Sequence, residues 1–168
     1  MVKLVAYSKK HIKFVYLIIS LLIVVADQTL KGFVAHNFSI GEVRPVLTNV
    51  ISLTYLQNNG AAWNILTGQM WLFYIISVIA ILICLYYIFQ RRNQSKLMKL
   101  GLAIVLGGII GNLIDRIHLK YVIDMIQLDF INFNIFNIAD SAITVGIVLV
   151  FIYLLFLDES EKEHGKKL

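Results

Sequence analysis

Six ionisable side chains stand where an apolar chain should not carry them. Asp27 and Lys31, then Asp115 and Arg116, then Asp140 lie within or at the ends of long apolar runs, and Asp124 falls in a short connection between two of those runs. An ionisable group in a spanning helix costs at least about 2.5–3.5 kcal/mol at the bilayer centre, so such groups persist where they find partners or do chemistry. Two carboxylates brought close together cannot both ionise comfortably, and the pair then holds a single proton near neutral pH. That arrangement suits peptide hydrolysis: the ionised member takes a proton from water while the protonated member polarises the scissile carbonyl. The titration belongs to the pair, so neither aspartate is assigned as acid or base. From spacing alone the partner of Asp140 could be Asp115, Asp124 or Asp129, since all three can lie in one layer. No metal and no cofactor is expected. His11, His36, His118 and His164 are scattered, without the short ligand spacings of zinc sites. Cys84 is a lone cysteine inside an apolar run, a buried small hydrophobe.

The elements that must position these groups are membrane spans. Hydrophobic residues make up 59% of the 168 residues, above the roughly 45–50% of soluble domains. Four segments, Phe14–Ala35, Trp71–Phe89, Leu100–Ile117 and Ile138–Leu157, reach the length of about 20 residues that a helix needs to cross the hydrocarbon core. The chain is therefore expected to be an all-α membrane protein, a single domain over residues 1–168. The net charge of +5 does not point to nucleic acid, because the cations flank apolar runs. Lys3, Lys9, Lys10 and Lys13 precede the first span, and Arg91, Arg92, Lys96 and Lys99 fill the second connection, which places both on the cytoplasmic side. With four crossings both termini are cytoplasmic. The first helix is expected to be an uncleaved signal anchor, because Asp27 and Lys31 occupy the place of a small-residue cleavage site.

Residues 36–70 and 118–137 then face outward, and each intramembrane charge lies at the outer end of its helix. Val46–Leu56 alternates and is rich in β-branched and aromatic residues, which predicts a small extracytoplasmic β element. Tyr121–Phe136 carries Asp124, Gln127 and Asp129 among apolar residues and is expected to form an amphipathic surface segment at headgroup level.

Asp27 and Lys31 are spaced i, i+4 on one helix face and can form an ion pair. In the third span Gly108, Gly111, Asn112, Asp115 and Arg116 fall within a stripe of about 140°. Glycines alone would signal close helix packing. The continuation with Asn112, Asp115 and Arg116 adds donors and acceptors suited either to a substrate backbone or to a network fixing the helix end. Asn137 is placed to cap the fourth helix, with Asp140 in its first turn, where an ionised carboxylate is favoured.

The ordered set Asp27-Gln28-Thr29-Leu30-Lys31, Asn58-Asn59-Gly60-Ala61-Ala62-Trp63, Gly107–Arg116 and Phe136–Asp140 closely resembles lipoprotein signal peptidase, or signal peptidase II, across the whole chain. The resemblance implies an aspartyl endopeptidase of the bacterial inner membrane, active at its extracytoplasmic face. Such an enzyme removes signal peptides from prolipoproteins after a diacylglyceryl group has been attached to the cysteine following the cleavage point. By motif the catalytic pair falls on Asp124 and Asp140. Asp27, Lys31, Asn58, Gly60, Asn112, Asp115, Arg116 and Asn137 take the family's other polar positions, shaping the site, orienting the dyad and holding substrate backbone. The partners implied are a lipid-modified prolipoprotein, membrane lipid and globomycin-type inhibitors, and no nucleic acid, with the protein acting as a monomer. The signal helix is expected to pack against the glycine stripe at Gly108. Trp63, Met125 and Asn134 depart from the residues usual in the family, which bears on the shape of the outer connections and not on the reaction. Two other classes compete. A small transporter or channel would use Asp27, Asp115, Arg116 and Asp140 as an ion path, but such sites favour the bilayer midplane, away from one outer layer. A non-catalytic membrane scaffold leaves Asp124 and Asp140 unexplained.

Overall fold

The structure, a computed structural model, describes residues 2–60, 67–89 and 95–157, with side chains described from Phe14 onward. The expectations for Ala61, Ala62 and Trp63, for Arg91 and Arg92, and for the tail 158–168 lie outside the described residues, as do the side chains of Lys3, Lys9, Lys10 and Lys13. In chain order the elements are α1 (Val2–Asn37), β1 (Val43–Leu47), β2 (Ile51–Asn58), α2 (Met70–Phe89), α3 (Lys96–His118), β3 (Val122–Leu128) and α4 (Ile138–Ile152), which continues into a π-helical turn, Tyr153–Leu157.

Four helical stretches, Phe14–Asn37, Met70–Phe89, Lys96–His118 and Ile138–Phe156, are long and apolar enough to cross a bilayer, each within a few residues of the expected span. Their burial is unequal. α3 buries 56% of its most apolar window, against 22%, 17% and 22% for the others, because it packs on α1, α2 and α4. Those three turn large apolar side chains such as Leu22, Leu82 and Phe156 outward, as a lipid-facing surface requires. Glycines let the backbones close in around α3. A Cβ on Gly101 would stand 2.8 Å from the Gly146 carbonyl oxygen, and one on Gly146 would stand 2.6 Å from that of Gly101. The Ser20 hydroxyl adds a hydrogen bond to the Ala103 carbonyl, 2.7 Å away, which ties α1 to α3. Cys84 is buried with Ile88, Leu102 and Leu106, the small hydrophobe that its surroundings predict.

The same packing overturns one expectation about Gly108. Its missing Cβ faces the Ala139 carbonyl and Ile143 of α4, and Gly107 and Gly111 face Ser20 and Asp27 of α1. The glycine stripe is filled from within the protein and offers no groove to a substrate helix. Gly108 shapes the site by letting the start of α4 approach α3.

Outside the spans lies one antiparallel sheet of order β1-β2-β3. The stretch 46–56 is not a single strand. It breaks at a turn where Asn49 takes φ 60°, a conformation asparagine tolerates, and the chain reverses so that Leu47 pairs with Ile51. The second outer connection supplies β3 in place of a separate surface segment, pairing Ile51 with Leu128 and Asn58 with Val122. Its apolar residues explain the difference: Ile123 and Met125 pack with Tyr55 on Val34 and Phe38, seating the sheet on the end of α1. Surface exposure is confined to the following loop, at Phe130, Ile131 and Phe133.

Candidate active site

Strand alternation decides which way Asp124 points. With Ile123 and Met125 committed to the α1 side, Asp124 and Val122 turn to the opposite face and line a cavity of about 780 Å³. Asp140 reaches the same cavity from the first turn of α4. Its position is fixed by a capping box. The Asn137 side chain accepts from the Asp140 N–H at 2.8 Å, and the Asp140 carboxylate accepts from the Asn137 N–H at 3.3 Å.

Three asparagine amides hold the two carboxylates. Asn137 Nδ2 donates to Asp124 Oδ1 at 2.7 Å, and Asn58 Nδ2 donates to Asp124 Oδ2 at 2.8 Å. Asn112 Nδ2 donates to Asp140 Oδ1 at 2.7 Å. Asn137 touches both aspartates and fixes them as a unit. Gly60 sits at the cavity wall, its N–H held by Asn58 Oδ1 at 2.9 Å. Burial, and then the charge of Asp140, push the Asp124 carboxyl up to about 7, against the opposing pull of the Asn58 and Asn137 donors and the Lys31 charge.

A closed ionic layer adjoins this pair through Asn112. Lys31 Nζ stands 2.8 Å from Asp27 Oδ2 and 3.0 Å from Asp115 Oδ2, and all three side chains are almost wholly buried. The expected pair is thus a triad, spanning α1 and α3, and it reaches two other elements. Asp27 accepts from the Ala139 N–H of α4 at 2.9 Å, and Asp115 accepts from the Ile123 N–H of β3 at 3.0 Å. Lys31 also donates to Asn112 Oδ1 at 2.9 Å.

Of the three candidate partners for Asp140, only Asp124 shares its cavity. Asp115 faces Lys31, and Asp129 sits past the far end of β3, accepting from the Ser52 hydroxyl at 2.7 Å. Arg116 lines the cavity from the last turn of α3. Its guanidinium lies 4.6 Å over the Phe73 ring, and its buried Nε has no hydrogen-bond partner among the described residues.

Gln28 was missed by sequence reasoning. Its amide donates to Asp115 Oδ1 at 2.9 Å and to the Gly111 carbonyl at 3.1 Å, completing the ionic layer. The signal was present, since a carboxamide within an apolar helix, on the face of Asp27 and Lys31, also demands a partner. Asn134 and Gln57 line the cavity too, in positions that no period marks.

Four membrane-spanning helices, with one acidic side chain from α4 and one from β3 at a single partly apolar cavity, define a class, the membrane-embedded aspartic peptidases. Comparison with known proteins gives the particular case. Residues 19–156 match the family model for signal peptidase (SPase) II. The chain is 63% identical to the lipoprotein signal peptidase of Lactobacillus johnsonii, over 87% of this chain and 95% of that one. It is 46% identical to the lipoprotein signal peptidase of Enterococcus faecalis, over 90% of this chain and 94% of the other. A bacterial membrane enzyme solved by the in meso method at 2.3 Å superposes with TM-score 0.81 at 34% identity, covering 84% of this chain and 87% of that one. The chain belongs to the signal peptidase II family.

Proposed function

We propose that this protein removes signal peptides from diacylglyceryl-modified bacterial prolipoproteins, with Asp124 and Asp140 as the catalytic dyad. One observation carries the reading: two aspartates from different elements are held at one cavity by a shared asparagine, and Asp124 is pushed up to about 7. In the resting dyad a single proton is shared and a water is held between the carboxylates. One carboxylate removes a proton from that water as its oxygen attacks the scissile carbonyl, while the other gives its proton to the carbonyl oxygen. The tetrahedral diol collapses as a proton passes to the departing amine, and the dyad is again singly protonated. The acid and base roles belong to the pair.

The remaining residues support this chemistry. Asn58, Asn112 and Asn137 orient the dyad, and Asp27, Lys31 and Asp115 hold together the elements that bear it. The Arg116 side chain, on the cavity wall, carries a positive charge toward a substrate carbonyl, and Gly60 leaves room for the substrate backbone. The lipid chains lie along the apolar wall of Phe136, Ile143 and Val145.

The whole chain, 1–168, acts as one domain and as a monomer in the bacterial cytoplasmic membrane. The charges support an extracytoplasmic site: Lys96 and Lys99 open α3, and Asp115 lies near its other end, about 28 Å from Lys96 along the helix. Purified protein in lipid should cleave a diacylglyceryl-modified precursor peptide, and globomycin should block it. Asp124→Asn and Asp140→Asn should each lose about 10²–10⁴-fold or more in kcat. Full cleavage by either variant would overturn the dyad.

A further inference from the structure

We propose that Lys31 is a positioning residue that sets the hydrogen-bond polarity of the dyad, by locking the Asn112 carboxamide so that only its N–H side faces Asp140. The inference deepens the proposed function and rests on the dyad assigned there.

A carboxamide is nearly symmetric in shape but opposite in polarity at its two ends, so its orientation must be set by a neighbour that can act in one sense only. An ammonium has three donors and no acceptor. Lys31 Nζ lies 2.9 Å from Asn112 Oδ1, and on the other side Asn112 Nδ2 lies 2.7 Å from Asp140 Oδ1. Reversing the amide would set N–H against ammonium and oxygen against carboxylate, two repulsions at once.

Asn137 is locked in the same sense by a second one-way group. Its Oδ1 accepts from the Asp140 backbone N–H at 2.8 Å, which leaves Nδ2 to donate to Asp124 Oδ1 at 2.7 Å and to Asn112 Oδ1 at 3.2 Å. Asn112 Oδ1 therefore receives donors from both sides, and each of the two carboxamides turns its Nδ2 toward a carboxylate, Asn112 to Asp140 and Asn137 to Asp124.

Lys31 does not take part in the reaction itself. It is 1% exposed and does not line the cavity. The charged groups around it are Asp27 on its own helix, Asp115 on α3, Asp124 on β3 and Asp140 on α4; Arg116 on α3 faces Asp115, Asp124 and Asp140, and Gln28 completes the layer through Asp27 and Asp115. Asp27 and Asp115 anchor the ammonium, and Asn112 carries its polarity to the dyad.

The test is the pH profile of kcat for cleavage of a diacylglyceryl-modified precursor peptide, measured on wild type, Lys31→Met, Lys31→Arg and Asp140→Asn, with thermal unfolding followed in parallel. In Lys31→Met the ammonium charge is lost and the amide is free to reverse, so the dyad keeps its proton longer. The basic limb should move up by about one pH unit, as when one charge-assisted hydrogen bond is lost, with kcat reduced and KM little changed. Lys31→Arg, which also offers only donors, should keep the limb at the wild-type pH whatever its kcat. An unmoved limb in Lys31→Met, or an equal shift in Lys31→Arg, would overturn the proposal and leave Lys31 a purely structural cation.

Asn112→Ser, which keeps the Lys31 charge, separates the relay from that charge, and it decides alone should Lys31→Met fail to fold. Its hydroxyl can donate or accept, and the ionic layer stays intact, so the limb should again move up, and an unmoved limb overturns the relay. Absence of cleavage in wild type would overturn the dyad reading itself, which separates that failure from failure of this proposal.

Discussion

Two layers of buried carboxylate adjoin one another, and they have opposite characters. In the ionic layer Asp27 and Asp115 share the ammonium of Lys31 and accept backbone N–H groups from α4 and β3, so their charges are countered at contact distance and closed off. In the dyad layer Asp124 and Asp140 receive neutral amide donors, face each other's charge and line a cavity. The ionic layer fixes geometry, while the dyad leaves a proton mobile. Buried carboxylates thus divide into structure and chemistry by what stands beside them.

The sharpest break between the layers is in stability. Lys31→Met strands two buried carboxylates and should cost about 3–5 kcal/mol in denaturant unfolding. Asp124→Asn should do the reverse at alkaline pH. The folded chain holds the Asp124 proton up to about pH 7, so the stability this group confers is present below the ordinary carboxylate range and is lost as pH rises towards 7. An asparagine carries no such loss, so Asp124→Asn should unfold at a higher temperature than wild type at pH 8 and close to it at acid pH. An Asp124→Asn protein that is destabilised at pH 8 would show that Asp124 belongs to the structural layer.

The glycines extend the contrast along α3. Gly108→Ala and Gly146→Ala both press a methyl into α3–α4 packing and should each cost about 1–3 kcal/mol by thermal unfolding. Gly108 lies against Ala139, next to Asp140, so its variant should lose more kcat than Gly146→Ala at equal stability loss. Equal kcat in the two would mean that the dyad tolerates a displaced α4.

For the dyad in wild type, the rate of cleavage should fall by about tenfold per pH unit above about 7, as the pair loses its proton. A flat profile to pH 9 would contradict proton sharing. The smallest effect is expected at Asp129, which belongs to neither layer. Asp129→Asn weakens one hydrogen bond from Ser52 and should change stability by about 1 kcal/mol or less, with kcat unaltered.

What the chain determines on its own is the set of elements. Spans are legible because a bilayer demands about twenty apolar residues and internal hydrogen bonding, constraints met within one segment at a time. The Asp27–Lys31 pair and the Asn137–Asp140 cap are legible for the same reason, since their spacing acts within one helix. The turn at Asn49 and the strand at 122–128 were not, because a half-buried strand and an amphipathic surface segment share the same apolar count, and only packing on Val34 and Phe38 decides between them.

The choice among Asp115, Asp124 and Asp129 could not be made by spacing either. It depends on which carboxylate meets Lys31, which faces Asp140 and which lies beyond the end of the sheet, distances set by contacts between residues far apart in the chain. Gln28 and Asn134 acquire their places in the same way. Local periodicity fixes what a segment is, and long-range packing fixes which of its side chains meet.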